Sequence, residues 1–248
     1  MQIIKNRGDY DMSEFTINKH LMQKISGIGC ILGVILITVG TLLVPRTNDI
    51  SNIEQMQHAF GANPTLLQIS AVFMVFGFWS LFIGVLGLRD TMNGIGAVWA
   101  RIGFYFNFMG TTIWTIGMSL DISYPAAIVN WLSTSESNKQ AAYSVVSVLS
   151  PLGFGRGLFP IEVITLWLSY LFISLGIVKS NNKPHWLGYM GLVIGISGII
   201  MGICMVFTGR EKLLSFYIAI MLLVLVWFLV IGFWSLLEAR ISTRLQKK

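Results

Sequence analysis

Ile25-Ser-Gly-Ile-Gly-Cys-Ile-Leu-Gly-Val-Ile-Leu-Ile-Thr-Val-Gly-Thr-Leu-Leu-Val44 runs for 20 residues without a charged side chain. A helix rises about 1.5 Å per residue, so the segment covers about 30 Å, the thickness of a bilayer's hydrocarbon core. Lipid offers backbone N–H and C=O groups no partner, which leaves an α-helix as the structure of such a crossing. The run follows a long polar arm and ends in Leu-Leu-Val-Pro-Arg, without a small-x-small cleavage site. Secretory signal cores are shorter, about 7–15 residues, so this one reads as a retained helix.

Five further runs of similar length follow, at 65–88, 102–120, 159–178, 186–207 and 213–237. The pattern predicts an all-α polytopic membrane bundle of six transmembrane helices. Composition agrees: the 248 residues are 54% hydrophobic and 11% charged, against about 25% charged in soluble chains. Mean hydropathy is +0.72. The expected organisation is an arm at 1–24, a bundle at 25–237 with one long outer loop at 121–158, and a basic tail at 238–248.

The positive charges orient the bundle. Lys5, Arg7, Lys19, Lys24, Arg89, Arg101, Lys179, Lys183, Arg240, Arg244, Lys247 and Lys248 fall on the side of the two termini. Arg46, Lys139, Arg156, Arg210 and Lys212 fall on the other. Twelve against five predicts both termini in the cytoplasm (N-in/C-in) and a place in the cell membrane. A net charge of +6 would raise nucleic-acid binding in a soluble protein. Here membrane topology accounts for the charge, and no nucleic-acid partner is expected. The lipid bilayer is the partner that composition demands; a membrane-protein partner or a homo-oligomer stays open.

Within the long loop, Asp121-Ile-Ser-Tyr-Pro and Ser133-Thr-Ser-Glu-Ser-Asn-Lys read as solvated chain. Residues 141–149 read as a short interfacial or re-entrant helix. A Gly/Pro-rich turn at 150–160 leads into the fourth run.

Small residues mark helix contacts. Gly188, Gly191, Gly195, Gly198 and Gly202 recur at spacings of three and four, and Gly77, Ser80, Gly84 and Gly87 form a shorter seam. Such residues let helix backbones approach closely. The alternative is a groove for a flat ligand or lipid. Gly77-Phe-Trp-Ser-Leu81 recurs as Gly232-Phe-Trp-Ser-Leu236, too short a match to establish duplication.

Glu162 is the one charge within the six runs. A charge at mid-bilayer costs about 3 kcal/mol or more and marks function. Two positions after Pro160, however, it reads first as an interfacial acid at a helix amino end, favoured by the dipole. Arg156, Arg210, Asp121 and Tyr124 border the same face, making this outer cluster the expected place of a polar site. Asn107, Thr111, Thr112 and Thr115 put polar atoms deeper, either to hydrogen-bond across helices or to line a solute pathway.

Cys30 and Cys204 read as small buried hydrophobes. His20, His58 and His185 pair with no ligand at metal spacing, and no phosphate-loop, zincin, serine-hydrolase or CxxC motif occurs. No catalytic residue, metal or cofactor is expected.

Leu166-Trp-Leu-Ser-Tyr-Leu-Phe-Ile-Ser-Leu-Gly-Ile-Val-Lys-Ser180, then Lys183-Pro-His-Trp-Leu-Gly-Tyr-Met-Gly-Leu-Val-Ile-Gly195, resembles a broad group of prokaryotic multi-pass membrane proteins without an established activity. In that group a helix ends in a short basic turn before Pro-x-Trp-Leu-Gly opens a glycine-rich helix. The resemblance, over 166–195, implies a bundle fold and no chemistry. The leading expectation is a non-enzymatic accessory, regulatory or structural membrane component. The alternatives are a small-solute transporter or channel, lined by the third-run threonines and gated near Glu162, and a lipid-handling enzyme using the outer loop.

Overall fold

The structure is a computed structural model that describes residues 3–45, 53–149 and 155–246. It is helical, with no strand among the described residues. The helices are α1 (Ile3–Leu43), α2 (Ile53–Ala62), α3 (Pro64–Asp90), α4 (Gly94–Ser133), α5 (Lys139–Leu149), α6 (Gly155–Lys179), α7 (His185–Thr208) and α8 (Arg210–Gln246). A 3₁₀ turn at Glu136–Asn138 precedes α5.

Five segments are long and apolar enough to cross a membrane: Lys19–Leu43, Pro64–Asp90, Gly157–Lys179, His185–Thr208 and Lys212–Ile241. The expected third run, in α4, is not among them. Asn107, Thr111, Thr112, Thr115 and Ser119 dilute its apolar character. The surface of the bundle carries large apolar side chains, among them Ile28, Leu32, Phe76, Ile83, Val193, Ile200, Leu222 and Val226. Lipid, not water, suits so continuous an apolar exterior. The protein is a membrane-embedded helical bundle.

The six long helices close a ring in chain order: α1, α3, α4, α6, α7, α8 and back to α1. Glycine decides which neighbours approach most closely. On α1, Gly29 meets the backbone of Gly84, and Gly33 meets the carbonyl of Gly77. On α4, Gly96 meets the carbonyl of Gly176, Gly103 meets Ile173, and Gly110 meets Leu166. The seam of α7 lies on α6 of the same chain: Gly188 on Val178, Gly195 on Leu171, Gly198 on the Trp167 ring and Gly202 on Ile164. Any Cβ added at these positions would come within 3 Å of a neighbour.

The recurring pentapeptide has one packing role twice. The Gly77 carbonyl and the Leu81 side chain bear on Gly33, while Ile37 bears on Gly77. Six residues earlier on α1, the Gly232 carbonyl and Leu236 bear on Gly27, while Ile31 bears on Gly232. One Gly-x-x-x-Ile unit of α1 thus receives α3, and a second receives α8, about 9 Å apart along the axis.

Beyond the bundle, at the end away from both termini, the chain differs from the expected loop at 121–158. Asp121 to Ser133 is not solvated chain but the continuation of α4. Tyr124 and Ile128, one turn apart, are fully buried there against Phe60, Leu67 and Val146. That apolar stripe makes the extension helical. Pro125 interrupts the backbone ladder within it, and Gln68 Nε2 donates to the Ile122 carbonyl at 3.1 Å in the turn before it. Residues 141–149 fall in α5, which packs on α4 with Tyr143 against Trp131. Of the cysteines, Cys30 is buried against Gly84, whereas Cys204 points outward from α7.

Gly198→Ala places a methyl group against the Trp167 ring and lowers stability by about 1–3 kcal/mol. Thermal unfolding in mild detergent checks this, with Gly157→Ala, which meets nothing within 4 Å, expected to leave the midpoint in place.

Candidate functional site

Two groups of buried polar side chains stand out from the apolar bundle. The first runs between α4 and α6. The glycine contacts fix the antiparallel register: Gly103 faces Ile173 and the Ser169 carbonyl, Gly110 faces Leu166, and a Cβ added at Gly117 would lie 4.0 Å from Glu162 Oε2. Asn107, Thr111 and Trp114 share the buried face of α4 with those glycines. Glu162, Thr165 and Ser169 are the buried polar residues of the facing stretch of α6. The seam extends over about 15 Å, from the level of Asn107 and Ser169 to that of Gly117 and Glu162.

Glu162 is 3% exposed. Its helix begins at Gly155, not at Phe159, so Pro160 lies inside α6 and Glu162 stands in the second turn. The dipole effect expected for a helix-end acid has faded at that depth. The carboxylate is buried in the bundle with Gly117 opposite. Two turns further along α6, Tyr170 is one of the buried rings at the centre of the bundle.

Several seam atoms have no hydrogen-bond partner among the described residues. Asn107 Oδ1, Trp114 Nε1 and Ser169 Oγ are buried without one, as is Ser174 Oγ further along α6. Leaving such a group unpaired costs about 1–3 kcal/mol. Thr165 Oγ1 donates to the Ile161 carbonyl at 2.7 Å, which leaves its lone pairs available. The seam therefore offers the oxygens of Asn107, Thr165 and Ser169 and the indole N–H donor of Trp114, with one carboxylate at its far end.

The residues singled out from sequence separate into different places. Asn107 and Thr111 join Glu162 in the seam. Thr115 does not: its hydroxyl donates to the Thr111 carbonyl at 2.8 Å and accepts from Trp79 Nε1 of α3 at 3.0 Å. Asp121 lies one turn beyond Gly117, half-buried, whereas Tyr124 belongs to the apolar cluster with Phe60. Arg156 and Arg210 lie near the starts of α6 and α8, and their side chains fall outside the described residues.

The second group, at the end of the bundle nearest both termini, has no counterpart in the sequence reading. Glu238 of α8 accepts from Gln23 Nε2 of α1 at 3.2 Å and from Trp234 Nε1 at 2.9 Å. It also pairs with Lys183 from the α6–α7 turn. The Lys183 side chain is 2% exposed and that of Glu238 19%. Burial pulls the Lys183 ammonium below its ordinary range, while the Glu238 carboxylate opposes that shift. One residue earlier, Asn182 Nδ2 donates to the Thr91 carbonyl in the α3–α4 turn at 2.8 Å. The available signal was Glu238 itself, the one acid in 213–248.

No group of three or more His, Cys, Asp or Glu side chains converges on a metal position among the described residues. No protein-family model, curated protein or solved structure matches the chain.

Ser169→Ala and Asn107→Leu each remove a buried polar atom that the chain does not pair. Both are expected to hold or raise the thermal midpoint in detergent, by up to about 1 kcal/mol. Thr115→Val, which loses the Trp79 bond, is expected to lower it by about 0.6 kcal/mol.

Proposed function

We propose that the protein is a six-crossing bundle of the cell membrane, with both termini in the cytoplasm, that carries a small cation along the α4–α6 seam. The carrying observation is Glu162, a carboxylate only 3% exposed and facing a line of polar atoms within a lipid-embedded bundle. Ionisable groups at such depth are expensive and belong to pathways or relays. Carboxylate, amide and hydroxyl oxygens suit a species that brings positive charge or donates protons.

α4 supplies the sixth crossing in this reading. It packs between α3 and α6, and its outward side chains include Val98, Tyr105, Phe108, Met109 and Ile116. Such residues match the lipid-facing surface of their neighbours. The twelve-to-five distribution of basic residues supports the orientation.

A specific observation favours a second reading, the accessory or structural component. Aromatic rings fill the middle of the ring of helices, with Phe78 on Trp114 at 4.4 Å and Tyr170 on Phe228 at 5.3 Å. A stable stoichiometric partner in mild detergent, together with no cation flux, would carry that reading.

Flux into liposomes decides between them. Reconstituted protein is expected to dissipate an imposed proton or sodium gradient, with Glu162→Gln lowering the rate tenfold or more. Thr111→Val combined with Asn107→Leu is expected to lower it severalfold. Flux no greater than in empty liposomes, or flux indifferent to Glu162→Gln, would sink the pathway. An impermeant thiol reagent applied to whole cells is expected to label a cysteine at position 137 and to miss one at 243.

A further inference from the structure

The close contacts divide the ring into two bodies. In one, α1 lies between α3 and α8 and meets both at glycine; in the other, α6 lies between α4 and α7 in the same way. Backbones that touch through glycine have no compressible layer between them, so each trio moves as a unit. The contact between the trios is of another kind. Rings carry most of it: Phe78 on Trp114, Phe82 on Phe104 at 5.1 Å, Phe159 on Tyr217 at 5.0 Å and Tyr170 on Phe228. Hydrogen bonds cross it at Trp79 Nε1 to Thr115 Oγ1, Gln68 Nε2 to the Ile122 carbonyl, and Trp227 Nε1 to the Leu187 carbonyl at 2.9 Å. Gly191 against the Trp227 ring is the one glycine of the membrane-spanning bundle at that boundary. The ring faces slide and part with little directional penalty, and on the α7–α8 side the Trp227–Leu187 hydrogen bond would break as they do.

Among the long helices, the chain passes between the trios at two places. One is the turn between α3 and α4 at the end near both termini, and the other is Gly209 between α7 and α8 at the far end. Gly209 has φ 87°, a region that side chains avoid, so the reversal there depends on glycine. Two short crossings at opposite ends leave the α7–α8 side open to separation near the termini. That is where Lys183 meets Glu238 and Gln23.

We infer that the two trios part on the α7–α8 side near the termini, about the Gly209 and α3–α4 turns, and that the Lys183–Glu238 pair is the latch that keeps this end shut. Gln23 aligns the carboxylate from α1, and Asn182 holds the α6–α7 turn to the α3–α4 turn as a pivot. A buried pair suits a latch because removing the Glu238 charge leaves the buried Lys183 ammonium without this counter-charge. As a gate for the seam, the latch rests on the pathway reading, since Trp114 and Tyr170 form part of the boundary that would part. Its geometry stands apart from any solute.

Paired spin labels in reconstituted full-length protein test this. In a Cys30→Ala, Cys204→Ala background, labels at Leu21→Cys and Tyr189→Cys report across the trios near the termini. Labels at Leu21→Cys and Arg240→Cys report within one trio. Glu238→Gln is expected to shift the cross-trio distance to longer values and to leave the within-trio distance alone. The reversed pair, Lys183→Glu with Glu238→Lys, is expected to restore the shorter distance. An unchanged cross-trio distance in Glu238→Gln overturns the latch, as does equal broadening of both distances or a reversed pair as wide as the single variant. Flux plays no part in these distances, so indifference of flux to Glu162→Gln would remove the pathway and leave the latch standing.

Discussion

Helices in lipid gain little by hiding apolar side chains from one another, because the surrounding tails are equally apolar. What remains is close packing, and close packing between helices is limited by the first side-chain carbon. Nearly every tight contact in this bundle removes that limit at one residue. Gly33 and Gly77, Gly29 and Gly84, Gly96 and Gly176, and Gly27 and Gly232 meet as pairs from two helices. The remaining contacts set one glycine against a large side chain, as Gly198 does against Trp167. The order of helices around α1 and around α6, and the register of α4 on α6, follow from these contacts.

Within that frame, polar groups have two fates. Some are satisfied by the helix that bears them, as when Thr38 and Thr41 donate to carbonyls one turn back. These cost little and signify little. Others are buried where their own helix does not pair them, and the register of α4 on α6 gathers Asn107, Trp114 and Ser169 into one seam with Glu162. An apolar side chain at any of these positions would pack without the desolvation cost. Their concentration between two helices is therefore what separates this interface from the equally tight contact of α1 with α3.

The bundle was legible because a run of 20 uncharged residues has one solution in lipid, and glycine spacing on α7 marked its contact face. The partner of that face was not legible, since a seam of small residues is the same whether it meets its own chain or another. The extension of α4 was missed for a local reason. Asp121, Ser123 and Pro125 are turn formers, and they hid the apolar stripe of Tyr124, Ile128 and Trp131 at helical spacing. In the seam, Thr111 and Thr115 share a helix face one turn apart, yet Trp79 draws Thr115 toward α3. Lys183 and Glu238 escaped notice because each looked like ordinary charge at the end of an apolar run. Only the fold brings residues 55 positions apart into contact.

The recurrence of Gly-Phe-Trp-Ser-Leu acquires meaning from this geometry. Five residues drawn from a membrane alphabet recur easily, and identity alone carries no weight. Both copies, however, set a glycine carbonyl and a leucine against a glycine of α1, and both glycines receive an isoleucine from α1 one turn further on. A contact chemistry used twice on one helix makes α1 a two-sided hub, with α3 on one side and α8 on the other. α6 occupies the matching position between α4 and α7, with Gly176 toward one neighbour and Leu171 and Trp167 beneath the glycines of the other. The ring is thus better understood as two hubs and their flanking helices than as six equivalent members. The polar seam belongs to one hub, and the ion pair joins the two.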